Sequence, residues 1–282
     1  MGSSARKFTK KPKKEPKVST WVKEMVYEYI IDMVNRGLRI DGRKFFEYRP
    51  IQIRVNVSKN AEGSALVSLG ETKVLAGVKM DIVEPFEDRP DEGVLIVNAE
   101  FAPLASPMFE PGPPNEDAIE LARVVDRGIR ESNAIDLKSL CIEAGSKVWG
   151  IFVDIYILNH DGNLIDASAL AAIVSLLTAR FPIVEGDKVV YGKWCEKKLK
   201  VNKIPVCCTF VKIGNHFLLD PNLREESALE AGLSVIVTDE KTNALQKRGE
   251  IGGLKFAEVM KCIEIALEKG KELKQMVERA VS

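Results

Sequence analysis

Two arginines four residues apart, Arg123 and Arg127, are the side chains of this chain best spaced to hold a polyanion. They follow a stiff run, Phe109-Glu-Pro-Gly-Pro-Pro114, too rich in proline for either helix or sheet. Residues at i and i+4 share one side of a helix. The pair could therefore straddle consecutive phosphates, each guanidinium offering a planar fork of donors. A solvated helix face is the competing reading. Glu120 stands three residues before Arg123, Glu131 four after Arg127, and Asp126 four before Arg130, all at pairing distance on a helix. Spacing alone leaves both readings open.

Three other segments carry groups that could do chemistry. Arg39-Ile-Asp-Gly-Arg43, followed by Tyr48-Arg-Pro50, is a bend with flanking charges and reads first as a structural ion-pair cluster. His160-Asp-Gly-Asn-Leu-Ile-Asp166-Ala-Ser168 reads as strand, glycine turn and helix, an arrangement whose N-terminal amides can take an anion. Leu164 and Ile165 are apolar, however, and Asp166 adds negative charge at that mouth, which argues against phosphate. Between Leu219 and Val235, Asp220, Glu225, Glu226 and Glu230 precede a strand. Such acids could bind a metal or donate protons, although a charged loop explains them more simply. Neither a G-x-x-x-x-G-K-[ST] loop nor a G-x-G-x-x-G fingerprint is present, and His160 and His216 are the two histidines. That leaves little for a histidine zinc site or a histidine-dependent nucleophile, and no metal or cofactor is expected.

The elements that must position these groups follow from length and pattern. With 282 residues and 45% hydrophobic side chains, the chain can build a sizeable core in two domains or one large one. No run approaches the roughly 20 apolar residues of a membrane span. The basic start lacks an apolar segment behind it, so no secretory signal is expected. Five cysteines, Cys141, Cys195, Cys207, Cys208 and Cys262, show no C-x-x-C spacing and suggest reduced thiols in the cytoplasm. The 41 basic and 41 acidic residues cancel, but unevenly. Residues 1–20 carry seven basic side chains against Glu15, leaving the body at −6. The segment 1–19 reads as a basic flexible tail, and any nucleic-acid contact on the body must be local.

Trp21, Val22, Met25, Val26, Tyr29, Ile30, Met33 and Val34 form a helical stripe, capped by Thr20 and stopped by Gly37. Residues 51–57 alternate as a half-buried strand, 63–69 and 72–80 flank Gly70-Glu71 as a hairpin, and 93–101 is β-rich. A helix starts behind Asn115 with Ala118, Ala122, Val125 and Ile129 on one face. A long strand over 147–158 precedes a buried helix over 167–179, and 182–203 reads as a connector. Strands follow at 205–213, 217–219 and 233–238. The last helix carries a stripe of Phe256, Val259, Met260, Ile263, Ala266 and Leu267, with Leu273, Met276 and Val277 beyond Gly270. Strands then helix, twice, predict an α+β fold of two related halves.

Five segments together resemble the RNase PH family. They are Arg-Ile-Asp-Gly-Arg at 39–43, Gly-Ser-Ala-Leu-Val at 63–67, Gly-Glu-Thr-Lys-Val-Leu-Ala-Gly-Val at 70–78, Phe-Glu-Pro-Gly-Pro-Pro at 109–114 and Glu-Leu-Ala-Arg-Val-Val-Asp-Arg at 120–127. The likeness covers roughly residues 20–280 and is strongest to the non-catalytic subunit branch of the archaeal exosome. It implies a two-lobed βα fold in a hexameric ring, with an N-terminal helix at 20–37, domain 1 at 38–200 and domain 2 at 201–282. Active members of the family cleave RNA from the 3′ end with phosphate. They hold phosphate in a Gly-Gly-Thr-Arg-type turn and use two aspartates of an Asp-Ser-x-x-Glu-x-Asp pattern. Matched residue by residue, the turn becomes Gly162-Asn163-Leu164-Ile165, and the two aspartates become Glu226 and Gly232. The resemblance therefore implies no catalytic residue in this chain, with an active phosphorolytic exoribonuclease as the alternative. It further implies RNA binding by Arg123 and Arg127. The implied partners are a catalytic RNase PH-like exosome subunit, in three heterodimers, RNA-binding cap subunits and single-stranded RNA, with no membrane.

Overall fold

The computed structural model describes residues 20–186, 188–239, 241–249 and 252–282, with side chains from residue 25 onward. The basic tail at 1–19, and the side chains of Thr20, Trp21 and Val22, lie outside them. Helix α1 (Thr20–Asn35) ends where Gly37 turns to φ +76°. Leu38 N then donates to Met33 O at 2.9 Å and Gly37 N to Val34 O at 3.0 Å, the paired bonds that close a helix on a left-handed glycine.

The first sheet contains β1 (Ile51–Val55), β2 (Gly63–Leu69), β3 (Thr72–Val83), β4 (Val94–Phe101), β5 (Cys141–Glu143) and β6 (Lys147–Asn159). Its order is β1-β2-β3-β6-β4, with β5 alongside β6. All pairs are antiparallel except β4 with β6, which run parallel with Val97 opposite Val153. Parallel neighbours need a crossover, and this one includes the proline loop and α2 (Glu116–Glu131). Along β3, Val74, Ala76, Val78 and Met80 are buried while the residues between them face outward, the alternation of a sheet with one covered face.

After α3 (Leu164–Thr178), β7 (Arg180–Glu185) and β8 (Lys188–Lys198) form a separate antiparallel ribbon. The second sheet, β10-β9-β11-β12, is built from β9 (Val206–Ile213), β10 (His216–Leu219), β11 (Ala231–Thr238) and β12 (Lys241–Arg248). A short helix, α4 (Leu223–Ser227), links β10 to β11, and α5 (Phe256–Val281) ends the chain. Helix α3 has twelve of its fifteen residues buried and packs against β2, β3, β9, α2 and α5. A helix apolar all round is one covered on every side. One hydrophobic cluster consequently runs from Val67 in the first sheet through Leu170 to Val235 and Val277.

Four elements differ from their sequence reading. Residues 182–203 are mostly the β7–β8 ribbon, not a connector. Helix α3 starts three residues early, because Asn163 at φ 53° caps it directly behind the glycine turn. Strand β12 has no reading in the sequence, since an exposed Lys-Thr-Asn-Ala-Leu-Gln-Lys-Arg edge lacks apolar alternation. On α5 the fully buried side is Cys262, Ala266, Gly270, Leu273 and Val277, while Phe256 is 81% exposed. Small residues decide that face: a Cβ on Gly270 would sit 2.5 Å from Val237 Cγ2, so this side approaches the sheet too closely for larger groups.

Candidate nucleic-acid interface and the pocket beside it

Helix α2 rises from the proline loop with its first turn fixed by Asn115, whose Oδ1 accepts from Ala118 N at 2.9 Å. Glu116 and Asp117 follow in that turn, where the helix dipole favours acids. Ala118, Leu121, Ala122, Val124, Val125 and Ile129 are all buried, and Gly128 lies against the Ile236 side chain. This packing sets the roll of the helix and leaves Arg123 and Arg127 exposed. Arg123 has no hydrogen-bond or ion-pair partner among the described residues. Arg127 Nη1 donates to Gln246 Oε1 at 3.1 Å, and Gln246 Nε2 donates to Glu120 Oε1 at 3.1 Å. The spacing allowed Arg123 with Glu120 and Arg127 with Glu131; instead Gln246 of β12 engages both Glu120 and Arg127. Arg130 does pair with Asp126, at 2.8 Å.

A cavity of about 160 Å³ opens beside α2, lined by Phe109, Glu120, His160, Ile165, Glu226 and Arg248 among others. Phe109 and His160 stack with centroids 5.4 Å apart and 15° between planes. Burial holds the His160 imidazole below its ordinary pKa, and its Nδ1 accepts from Gly162 N at 3.3 Å. Gly162 adopts φ +84°, and a Cβ there would lie 2.5 Å from the backbone carbon of Asn222, so only glycine fits between β6 and α4. The next residue, the α3 cap Asn163, presents its backbone amide at this mouth. That amide, Asn163 N, donates to Glu226 Oε1 at 3.1 Å. Arg248 Nη1 donates to the same oxygen, also at 3.1 Å. A carboxylate of this chain thus stands beside the N-terminal end of α3, where an external anion would approach the helix.

Beneath it lies a buried polar network. Asn163 Nδ2 donates to Asp166 Oδ2 at 2.9 Å and to Asp220 Oδ1 at 2.8 Å. Asp166 also accepts from the Tyr48 hydroxyl at 2.9 Å, Thr209 N at 3.0 Å and Thr209 Oγ1 at 2.7 Å. Burial pushes the Asp166 carboxyl up to about 6, with the Asn163 and Thr209 hydrogen bonds holding it lower than burial alone would. Asp220 accepts from Arg49 N, Nε and Nη2 at 2.8–3.0 Å and from Arg43 Nη1 at 3.0 Å. Arg39, wholly buried, forks onto Glu225 at 2.6 and 2.9 Å. The Arg39–Arg43 and Tyr48–Pro50 segments are therefore ion-pair structure, joining the start of β1 to the end of β10 and to α4. Of the four acids before β11, Glu225 and Glu226 are spent on arginines and Glu230 accepts from Gly214 N at 2.9 Å. Among the described residues no group of His, Cys, Asp and Glu is placed to hold a metal ion. Gly232 sits in β11 opposite Arg248 and Val211, where a Cβ would come within 3.1 Å of Phe210 O.

Sequence reasoning singled out Arg123 and Arg127, which the fold leaves exposed, but did not reach Gln246 and Arg248, which stand on the unrecognised strand β12. It also matched Glu226 to a motif without seeing that this side chain turns onto the α3 amide.

Two βα lobes around one buried helix, with a glycine turn at its mouth, define a known class. The chain belongs to the 3′ exoribonuclease family, RNase PH: the family's domain 1 matches residues 47–182 and its domain 2 matches residues 203–269. Among its relatives, the exosome complex component Rrp42 of Thermococcus kodakarensis is 47% identical over 259 residues, covering 90% of this chain and 94% of that protein. The Rrp42 component of Methanothermobacter thermautotrophicus is 45% identical over 263 residues, covering 93% and 97%. A chain of the Archaeoglobus fulgidus exosome with RNA bound to the active site superposes with a TM-score of 0.83 at 44% identity, covering 91% of this chain and 99% of that one. A chain of an archaeal exosome core gives 0.81 at 40% identity, covering 92% and 98%.

Proposed function

We propose that this chain is the non-catalytic RNase PH-like subunit of an archaeal exosome, a 3′-to-5′ phosphorolytic RNA-degrading complex. In this reading it supports the active site of a catalytic RNase PH-like partner, three such heterodimers close a hexameric ring, and cap subunits bearing RNA-binding modules sit on one face. The ring works in the cytoplasm, consistent with five free cysteines. Arg123 and Arg127 hold RNA by its phosphates, which gives affinity without reading sequence. The domain limits remain 38–200 and 201–282 in this reading.

The observation that carries the non-catalytic reading is the Glu226 carboxylate on Asn163 N and Arg248. The amide and the cation to which a phosphate would be drawn already hold an anion tethered to this chain. Leu164 and Ile165 supply no hydroxyl or guanidinium, and Gly232 has no side chain to carry a proton. The reading as an active phosphorolytic exoribonuclease lacks the residues that the family's motifs put in those roles.

Assembly tests the partner half of the proposal. Leu104, Met108 and Phe256 are 75%, 80% and 81% exposed, and such apolar side chains, where they gather, mark surfaces built to be covered. Native mass spectrometry of this chain co-expressed with a catalytic RNase PH-like subunit is expected to show three copies of each. A one-to-one pair that never grows with concentration contradicts the ring.

A further inference from the structure

We infer that the β7–β8 ribbon is a second contact surface for single-stranded RNA, separate from α2. The inference rests on the RNA-handling reading above and adds to it a surface that reading does not use. The ribbon and the five residues after it, 180–203, carry Arg180, Lys188, Lys193, Lys197, Lys198, Lys200 and Lys203 against Glu185, Asp187 and Glu196. All six lysines are exposed. Several lysines elsewhere in the fold are paired with acids, as in Lys79–Glu62, Lys138–Asp91, Lys212–Glu258, Lys269–Glu272 and Lys274–Asp239. On the ribbon and just after it, Lys188, Lys193, Lys198, Lys200 and Lys203 have no acidic partner among the described residues, and Lys197 lies over the Phe181 ring at 4.7 Å. A cluster of unpaired lysines on an otherwise acidic body keeps its counterions until a polyanion displaces them.

The aromatic side chains between those lysines decide the kind of polyanion. Tyr191 is 68% exposed and Trp194 36%. The Tyr191 ring is held in place: its hydroxyl donates to Asp81 Oδ2 at 3.3 Å, and Lys79 Nζ stands 5.4 Å from its centroid. A held, exposed ring on the same strand as the unpaired Lys188, Lys193 and Lys198 is the arrangement on which unpaired bases stack while their backbone is tracked by charge. An acidic protein surface would be met by the lysines but leaves the held ring without a purpose. Duplex nucleic acid hides its base faces from such a ring.

The test is fluorescence anisotropy of a labelled oligouridine, titrated against salt with the full chain alone and in the co-expressed complex. Replacing Lys188, Lys193, Lys198 and Lys200 by Gln should lower the salt slope by about 0.7 for each lysine that meets a phosphate, up to about 2.8. The matching Lys→Arg variant should keep the wild-type slope. Tyr191→Leu should weaken binding roughly fivefold or more at fixed salt. Thermal unfolding of each variant reports whether the ribbon's exposed positions left the fold intact, and Tyr191→Leu carries the test if the Gln variant does not fold. Unchanged affinity and slope in the Gln and Leu variants overturn the inference. So does a Gln variant that binds RNA normally but no longer assembles, which makes the ribbon a protein interface. Arg123→Glu with Arg127→Glu runs in parallel: if that pair loses RNA and the ribbon variants do not, the ribbon surface falls while the RNA-handling reading stands. If no variant and no wild-type complex responds to RNA, both fall.

Discussion

Arg123→Glu combined with Arg127→Glu is expected to weaken RNA binding by the assembled complex roughly tenfold or more at low salt. Losing two phosphate contacts lowers the salt slope by about 1.4 for a single strand. The expectation has a structural basis that spacing alone did not supply. Six buried apolar residues fix the roll of α2, so neither arginine is needed by the core and the fold should survive. Arg123 is without a partner among the described residues, while Arg127 is only tethered to a neutral amide. Neither guanidinium has to break an ion pair to meet a phosphate. The loss should be similar for different RNA sequences, since contacts to phosphate carry no base readout. Anisotropy titrations of wild-type and double-mutant complexes decide it. An unchanged slope returns the pair to an ordinary solvated face, and loss of the complex itself assigns them to a subunit interface.

The largest effect on stability is expected from Asp220→Ala. That carboxylate is fully buried and accepts from Arg49, Arg43 and Asn163 at once. Removing it leaves the 7%-exposed Arg49 with Asp161 as its remaining carboxylate, and uncovering a buried charge in this way costs about 3–5 kcal/mol. The backbone adds to the penalty, because residue 220 sits at φ 52°, a conformation aspartate tolerates better than alanine. Asp220→Asn should recover part of the loss, keeping shape and backbone preference without the charge. Urea unfolding of the isolated chain measures both. A cost below about 1 kcal/mol for the alanine variant would show that water can replace the carboxylate, contrary to a sealed network.

How far the sequence speaks for itself depends on what each element is made of. Helix α2 is legible because its cap, its first-turn acids and its apolar face all agree, and every residue read onto that face is buried. The β2–β3 hairpin is legible because two β-rich runs flank Gly70-Glu71, with Gly70 at φ 57° in the turn. Strands β8 and β12 are not, since neither has a single fully buried residue and so neither carries an inside–outside pattern. Those two strands hold Tyr191, Gln246 and Arg248, so the parts that went unread are the parts standing on edges. Helix α5 misleads in the opposite way. Its buried side is chosen by close approach at Gly270, not by the largest apolar groups, and Phe256 points into solvent. The Glu226 contact joins residues 63 positions apart, which no local pattern can reveal.

The central claim is that this chain assists RNA phosphorolysis without performing it. Release of nucleoside diphosphate from single-stranded RNA in the presence of phosphate tests it most directly, measured for this chain alone, for the catalytic partner alone and for the two together. The account predicts no phosphate-dependent release by this chain alone, and more release by the pair than by the partner alone. Phosphate-dependent turnover by the isolated chain, persisting after repurification and independent of any partner, would contradict it.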